Sequence, residues 1–370
     1  MKVLHFLDTL GRGGAEMQAL DVARNARDHG IELTVAAAGG GSLEDEFRES
    51  GAELITLRRR LPVDPFLARQ IRRIIEEREI EIVHGYQPVD GIHLLLAAKG
   101  LGNVRKVLSF QGFIQDRKNR SAAKFLIPRM DANIVVSRGL QKWLSDEDKL
   151  DTSKNFCVIY NGGDPQRLTP SGNSLRAELG IGDGTPLVGM VANFYRDRRK
   201  DQLTVAKAMA KVAEIISNAH CVFVGGVESG AEDKLAACKA VCAENGISDR
   251  VHFLGSRNDI PDILADIDIA IMSSFHEGLP VAISEAMLAG TAMILSDIEP
   301  HLEASQHGEF AEIFPTGDAE LLAGKILGLL GDNERRDQLA AKAREFALEN
   351  LSIHSHLSEL KKLYENLLSA

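Results

Sequence analysis

The chain has 370 residues, 44% of them hydrophobic, enough for two α/β domains of ordinary size. Its formal net charge of −10 argues against nucleic acid as the main partner. Cys157, Cys221, Cys238 and Cys242 form no C-x-x-C pair, and no histidine stands near the last two, so they read as buried free thiols of a reducing compartment.

Met1 to Leu7 has one lysine and an apolar run cut short by Asp8, which fits neither a secretory signal nor a membrane span. Val3 to Leu7 reads as a buried strand, Asp8 to Gly14 as a glycine-rich turn, Ala15 to His29 as a helix and Ile31 to Ala38 as a second strand. This βαβ opening predicts a parallel sheet with its ligand at the carboxyl ends of the strands. The turn Gly11-Arg12-Gly13-Gly14-Ala15-Glu16 departs from the dinucleotide fingerprint, because Glu16 replaces the third glycine and no acid ends the second strand. A nicotinamide cofactor is therefore not expected.

From Asp64 to Glu79, Phe66, Leu67, Ile71, Ile74 and Ile75 form an apolar stripe among Arg58, Arg59, Arg60, Arg69, Arg72 and Arg73. A second basic run spans Arg117 to Lys124. Two readings stand: a surface that rests on an anionic membrane, or a solvated helix packing its stripe on the core. The strand Glu81 to Val83 ends at His84 and the strand Val107 to Phe110 ends at Gln111-Gly112, and both ends are expected to open toward the second domain. A lone histidine at a strand end also fits a structural role. Asn133 to Val136 is a further strand, and Asn161-Gly162 reads as a turn. Thr169 to Thr185, rich in Gly, Ser and Pro, reads as the interdomain linker.

The second half opens on the strand Leu187 to Ala192. The loop after it places Arg196, Arg198, Arg199 and Lys200 within five residues, an arrangement suited to phosphate. Cys221 to Val224, Val251 to Leu254 and Ile269 to Met272 are further strands. Asp266-Ile267-Asp268 looks like a D-x-D metal motif but lies at the start of a strand, where the family resemblance given below implies a structural aspartate. Next comes the stretch Ser273 to Gly290, a loop and helix between two apolar runs, with Pro280 suited to the helix's first turn and Gly290 to its end. It carries Glu277 in the loop and Glu285 one turn into the helix, where a carboxylate held against apolar neighbours needs partners.

The pattern Ser-x-x-x-Glu-Gly-x-Pro-x-x-x-x-Glu-Ala-Met-x-x-Gly from Ser273 to Gly290 resembles the E-x7-E signature of retaining glycosyltransferases, family 4. The resemblance spans nearly the whole chain, strongly over 187–297 and loosely over 40–130. It implies an α/β chain of the GT-B fold: two Rossmann-like domains facing a cleft, with a C-terminal helix crossing back to the first. The expected boundaries are 1–168 for an acceptor-binding domain, 169–350 for a nucleotide-sugar-binding domain and 351–370 for the returning helix. It also implies transfer of a hexosyl unit from a nucleotide sugar, commonly a uridine diphosphate sugar, with retention at the anomeric carbon and without metal or cofactor. The expected acceptor is a sugar, a lipid-linked molecule or another small molecule, in bacterial polysaccharide, glycolipid or glycoconjugate synthesis. The expected location is cytoplasmic or peripheral on the inner membrane face.

Residue by residue, the resemblance assigns Lys200, Arg196, the backbone N–H groups of Gly278 and Leu279 and the turn Gly13-Gly14 to the donor diphosphate. Glu285 falls to the ribose diol and Glu277 to a hydroxyl of the donor sugar, with Glu277, Lys200 and Arg196 as the catalytic set. Gln111 stands where relatives often carry a histidine that contacts the donor sugar, and His84 is the other candidate on the sugar or acceptor side. A GT-B-like nucleotide-sugar epimerase, a catalytically inactive sugar-nucleotide-binding scaffold and an inverting relative share the fold and stay open at this point.

Overall fold

The computed structural model describes residues 1–114 and 116–370. It divides into two compact units: Met1–Gly163 with Gly278–Val281 and Asn350–Ala370, and Asp164–Glu277 with Ala282–Glu349.

The first unit holds a seven-stranded sheet made of β1 (Lys2–Leu7), β2 (Glu32–Ala37), β3 (Glu53–Thr56), β4 (Ile82–Gly85), β5 (Arg105–Phe110), β6 (Ala132–Val135) and β7 (Phe156–Val158). Its strands are parallel, in the order β3-β2-β1-β4-β5-β6-β7. Parallel strands need helical crossovers, which cover both faces and make the strands apolar throughout. Along β1, alternation sends Val3 and Leu7 into a core shared with Leu357, Leu360 and Tyr364 of the helix Ile353–Ser369. Leu4 and Phe6 enter the opposite core, with Leu67, Ile71, Ile74 and Ile75 of the helix Pro65–Arg78. That helix is capped by Asp64, whose buried carboxylate accepts from the N–H groups of Phe66 and Leu67. The expected helix Ala15 to His29 is α-helical over Gly14–Asn25 and ends in a 3₁₀ turn, Ala26–His29, that stops at the left-handed Gly30.

The second unit holds a six-stranded parallel sheet: β8 (Leu187–Val191), β9 (His220–Val224), β10 (Val251–Gly255), β11 (Ile269–Met272), β12 (Ala292–Ser296) and β13 (Glu312–Phe314). The order is β10-β9-β8-β11-β12-β13. In each sheet the strand order reverses once, at β1/β4 and at β8/β11, and ligands of such sheets bind outside the carboxyl ends at that reversal.

The segment read as a linker is not a bare connection. Ser171 and Gly172 donate to the Asp262 carboxylate, Ser174 to Asp266, and the buried Arg176 pairs with Asp268 at 3.0 Å. A helix, Leu175–Leu179, forms inside it. These ties draw the start of the second unit back to Asp164, five residues before the expected boundary of 168/169. They also give Asp266 and Asp268 structural partners. Among the described residues no helix is long and apolar enough to cross a membrane.

Candidate active site

The reversal in the second sheet brings two loops side by side. One follows β8 and ends in Arg199-Lys200-Asp201; the other follows β11 and runs from Ser273 to Glu277. Backbone bonds stitch them together: Asp201 N–H donates to the Ser273 carbonyl (3.0 Å) and Phe275 N–H to the Arg199 carbonyl (2.9 Å). The stitching turns Lys200 inward, where its Nζ lies 2.7 Å from Glu277 Oε1, and both side chains are largely buried. Ser274 Oγ donates to the same carboxylate oxygen at 3.3 Å. Behind the loop, Ser296 Oγ donates to the Ser274 carbonyl and accepts from Ser274 N–H. The buried His301 sits against Ser296, and burial, with the Lys200 charge second, lowers its pKa to about 3, so it is neutral.

The remaining cations of the loop take other places. Arg199 pairs with Asp197 at 2.6 Å and lies over the Tyr195 ring, 4.4 Å from its centroid. Arg198 stands over Phe275. Arg196 is exposed, with its backbone N–H donating to Glu228 and its stem against Gly230. Of the four, only Lys200 is joined to Glu277.

Glu285 lies in the helix Val281–Ala289 and is 8% exposed. Its Oε1 accepts from Arg167 Nη2 at 2.6 Å. Sequence reasoning missed Arg167: the pair spans 118 positions, and the only sequence trace was that a buried carboxylate in this helix requires a partner.

The first unit places its candidates unevenly. Gly13 caps the helix Gly14–Asn25 in an extended conformation, φ −117° and ψ 169°. Gly14 has open space where a side chain would stand. Neither glycine has a positive φ, so the turn does not demand glycine for its conformation, and the bare backbone at a helix start is left approachable. Gln111 lies at the end of β5, where its Oε1 accepts from Asn161 Nδ2 at 3.0 Å.

His84 does not open from the sheet as expected. It is 2% exposed, with Nδ1 2.6 Å from Tyr364 Oη and Nε2 2.7 Å from Ser109 Oγ. Register sets it opposite His5, which itself bonds Tyr364 and Tyr86, each at 3.0 Å. The physical reason is parity: β4 sends His84 to the same face as Ile82, the face covered by the C-terminal helix. Burial lowers its pKa well below the ordinary value, so it stays neutral inside the core.

The segment Gly278–Val281 belongs to the first unit. Gly278 and Leu279 are both buried, Leu279 being 3% exposed. Among the described residues neither backbone N–H donates to any group, although their carbonyls are bonded.

Comparison with known proteins identifies the family. A "Glycosyltransferase Family 4" model matches residues 12–167 and a "Glycosyl transferases group 1" model matches residues 172–346. N-acetyl-α-D-glucosaminyl L-malate synthase of Bacillus anthracis is 24% identical over 315 residues, covering 83% of this chain and 80% of that protein. Phosphatidyl-myo-inositol mannosyltransferase of Mycolicibacterium smegmatis is 23% identical, covering 90% and 85%. A Campylobacter jejuni N,N'-diacetylbacillosaminyl-diphospho-undecaprenol α-1,3-N-acetylgalactosaminyltransferase is 32% identical over 189 residues, half of this chain and 46% of its own length. Among solved structures, Anabaena HepE in complex with UDP-glucose superposes with a TM-score of 0.86 at 22% identity, covering 99% of this chain and 100% of that one. With two adjoining models spanning its two units and GT-B proteins as structural neighbours, the chain belongs to glycosyltransferase family 4 and has the GT-B fold.

Proposed function

We propose that the protein transfers a hexosyl unit from a uridine diphosphate sugar to a lipid-linked or saccharide acceptor, with retention and without metal. The observation that carries this reading is the Lys200–Glu277 pair at the β8/β11 reversal, followed directly in the chain by the backbone N–H groups of Gly278 and Leu279. Lys200 and those N–H groups offer positive charge to a diphosphate, and Arg196 reaches it from the loop surface when donor binds. The Gly13-Gly14 turn, assigned to the diphosphate by the family resemblance, is a further backbone contact in this reading. Glu285 takes the ribose diol. Glu277 takes a sugar hydroxyl. In the reaction the bond from the anomeric carbon to the phosphate oxygen breaks while the acceptor oxygen bonds the same face. The acceptor proton passes to the departing phosphate oxygen, and UDP leaves with its charge stabilised by fixed cations. The donor class is supported by HepE, solved with UDP-glucose. The acceptor class is supported by relatives named for undecaprenyl diphosphate and phosphatidylinositol substrates.

Contact with an anionic membrane through the first unit belongs to the same proposal. Leu61, Val63 and Phe66 are 53%, 45% and 70% exposed beside the exposed Arg58, Arg60 and Arg69. The nearest acid, Asp64, is buried in its cap. Exposed apolar side chains among arginines suit the boundary between anionic headgroups and acyl chains.

The test is a thermal-shift panel of nucleoside diphosphates and their sugars with chelator present, followed by the anomeric configuration of the transferred sugar. UDP or a UDP-sugar near 100 Kd should stabilise by about 2.7 kcal/mol, and the product should be the α-glycoside from an α-linked donor. Absence of any nucleotide shift at millimolar concentration overturns the donor assignment, and binding without turnover returns the scaffold reading. Sedimentation with phosphatidylglycerol vesicles should be lost in a Leu61→Ser, Phe66→Ser variant, while equal sedimentation of variant and wild type refutes the membrane contact.

A further inference from the structure

We infer that Arg167 is a positioning residue for the donor's ribose: its guanidinium fixes the Glu285 carboxylate in the orientation that a vicinal diol requires. This rests on the ribose assignment of Glu285 proposed above. Both side chains belong to the second unit. Glu285 is the one charged residue of the helix Val281–Ala289, and Ser284, Ala286 and Leu288 around it are buried. No cation of the helix itself can therefore stand beside the carboxylate, and an ionised group so enclosed needs one. Arg167 supplies it. Its Nη2 donates to Glu285 Oε1 at 2.6 Å, and both side chains are largely buried.

Arg167 is also held at its root. It lies in a turn where the buried Asp164 accepts from Gln166 N–H through its carboxylate, at 2.9 Å, and from Leu168 N–H through its carbonyl, at 3.2 Å. Leu168, the next residue, is buried as well. A guanidinium anchored in this way acts on the loosest torsion of the glutamate, the last one, which turns the carboxylate about its own axis and has no sharp preference. Drawing Oε1 to Nη2 sets that rotation, and with it the plane of the carboxylate. A carboxylate has about four acceptor positions, and this bond uses one. The 2′ and 3′ hydroxyls of a ribose both donate, so they meet two acceptor positions at once only when that plane is correctly turned. Arginine suits the task better than lysine, because its planar fork sets a direction where an ammonium on a flexible stem is a point charge.

The test titrates wild type, Arg167→Met, Arg167→Gln and Arg167→Lys with UDP and, separately, with 2′-deoxy-UDP, and reads the ratio of the two affinities. Wild type should prefer UDP by about tenfold or more. That preference should fall by about threefold to tenfold in Arg167→Met and Arg167→Gln, with Arg167→Lys between them and wild type. A variant that merely loosens the fold lowers both affinities together and leaves their ratio where it was. Arg167→Gln, which keeps an N–H donor for the enclosed carboxylate, carries the comparison if Arg167→Met does not fold. A ratio equal to that of wild type in the folded variants overturns the positioning role and leaves the donor site standing. So does a higher ratio, which would make Arg167 a competitor of the ribose. If wild type binds UDP without preferring it to 2′-deoxy-UDP, or does not bind it, the ribose assignment of Glu285 fails and the role of Arg167 with it.

Discussion

The two sheets carry ionisable side chains at corresponding places, and they use them in opposite ways. At the β8/β11 reversal, Lys200 and Glu277 meet in a loop and the pair remains available to a ligand that competes for either charge. At the β1/β4 reversal, His5 and His84 turn into the sheet face and spend their ring nitrogens on Tyr86, Tyr364 and Ser109. The first arrangement is made by two loops, far apart in the chain, that the strand-order reversal sets side by side. The second is a buried polar network fastening a helix that lies 280 residues from His84 in the chain. Position at a carboxyl end therefore does not by itself make a ligand contact. What decides is whether the side chain leaves the strand in the loop or within the pleat, where alternation commits it to a core.

The largest expected effect that sharpens this contrast is that of Lys200→Ala. Turnover, measured as UDP release, should fall by about 10²–10³-fold if, as proposed, Lys200 is a fixed charge facing the leaving group. Stability to denaturant should also fall by about 3 kcal/mol, since Glu277 is left largely buried without its cation. Retained turnover would break the comparison from its second side.

Acid comes next. His5 and His301 are held near a pKa of about 3 and His356 near about 4, all by burial, against an ordinary 6.5. The unfolded chain therefore binds more protons below pH 6.5, and stability falls as pH drops from there toward 4. Each of the three histidines withdraws about 1.4 kcal/mol per pH unit over that range. Denaturant midpoints at pH 7, 6 and 5 check this, and a flat profile would show that the histidines are not buried in neutral form.

Smaller again is Tyr364→Phe, which removes the hydroxyl shared by His5 and His84. It should cost about 1–3 kcal/mol of stability and leave turnover within about twofold at a temperature where the variant is folded. A specific loss of turnover would instead place the histidine network in catalysis. The smallest effect expected is that of Arg198→Ala. Its guanidinium stands over Phe275 on an exposed side chain, so stability should change by no more than about 0.5 kcal/mol and UDP affinity should hold. A tenfold loss of UDP affinity would assign Arg198 to the phosphate.

The second sheet was more legible than the first because its candidate site residues leave the strands in the segments that follow them rather than within the pleat. Glu277 and Lys200 lie in loops, and Glu285 in the helix after Pro280, and all follow strands that could be read from apolar runs, which set them at the carboxyl edge. Arg167 and Tyr364 were not legible, because their partners Glu285 and His84 come from 118 and 280 residues away, and no local pattern encodes such a meeting. The segment Thr169 to Thr185 misled for a third reason. Its Gly, Ser and Pro content matches a linker, but those same small polar residues let the backbone donate to Asp262, Asp266 and the loop they cap. The fold itself needed only the alternation of strand and helix, which sequence periodicity reports well.

The central claim is that the loops at the β8/β11 reversal hold a nucleoside diphosphate through Lys200. Calorimetric titration of UDP into wild type and Lys200→Ala, both without metal, tests it most directly. The account predicts saturable binding to wild type and an affinity at least tenfold weaker for the variant, a difference of about 1.4 kcal/mol or more. Equal affinity of the two proteins for UDP, or no binding of UDP by wild type at millimolar concentration, would contradict it.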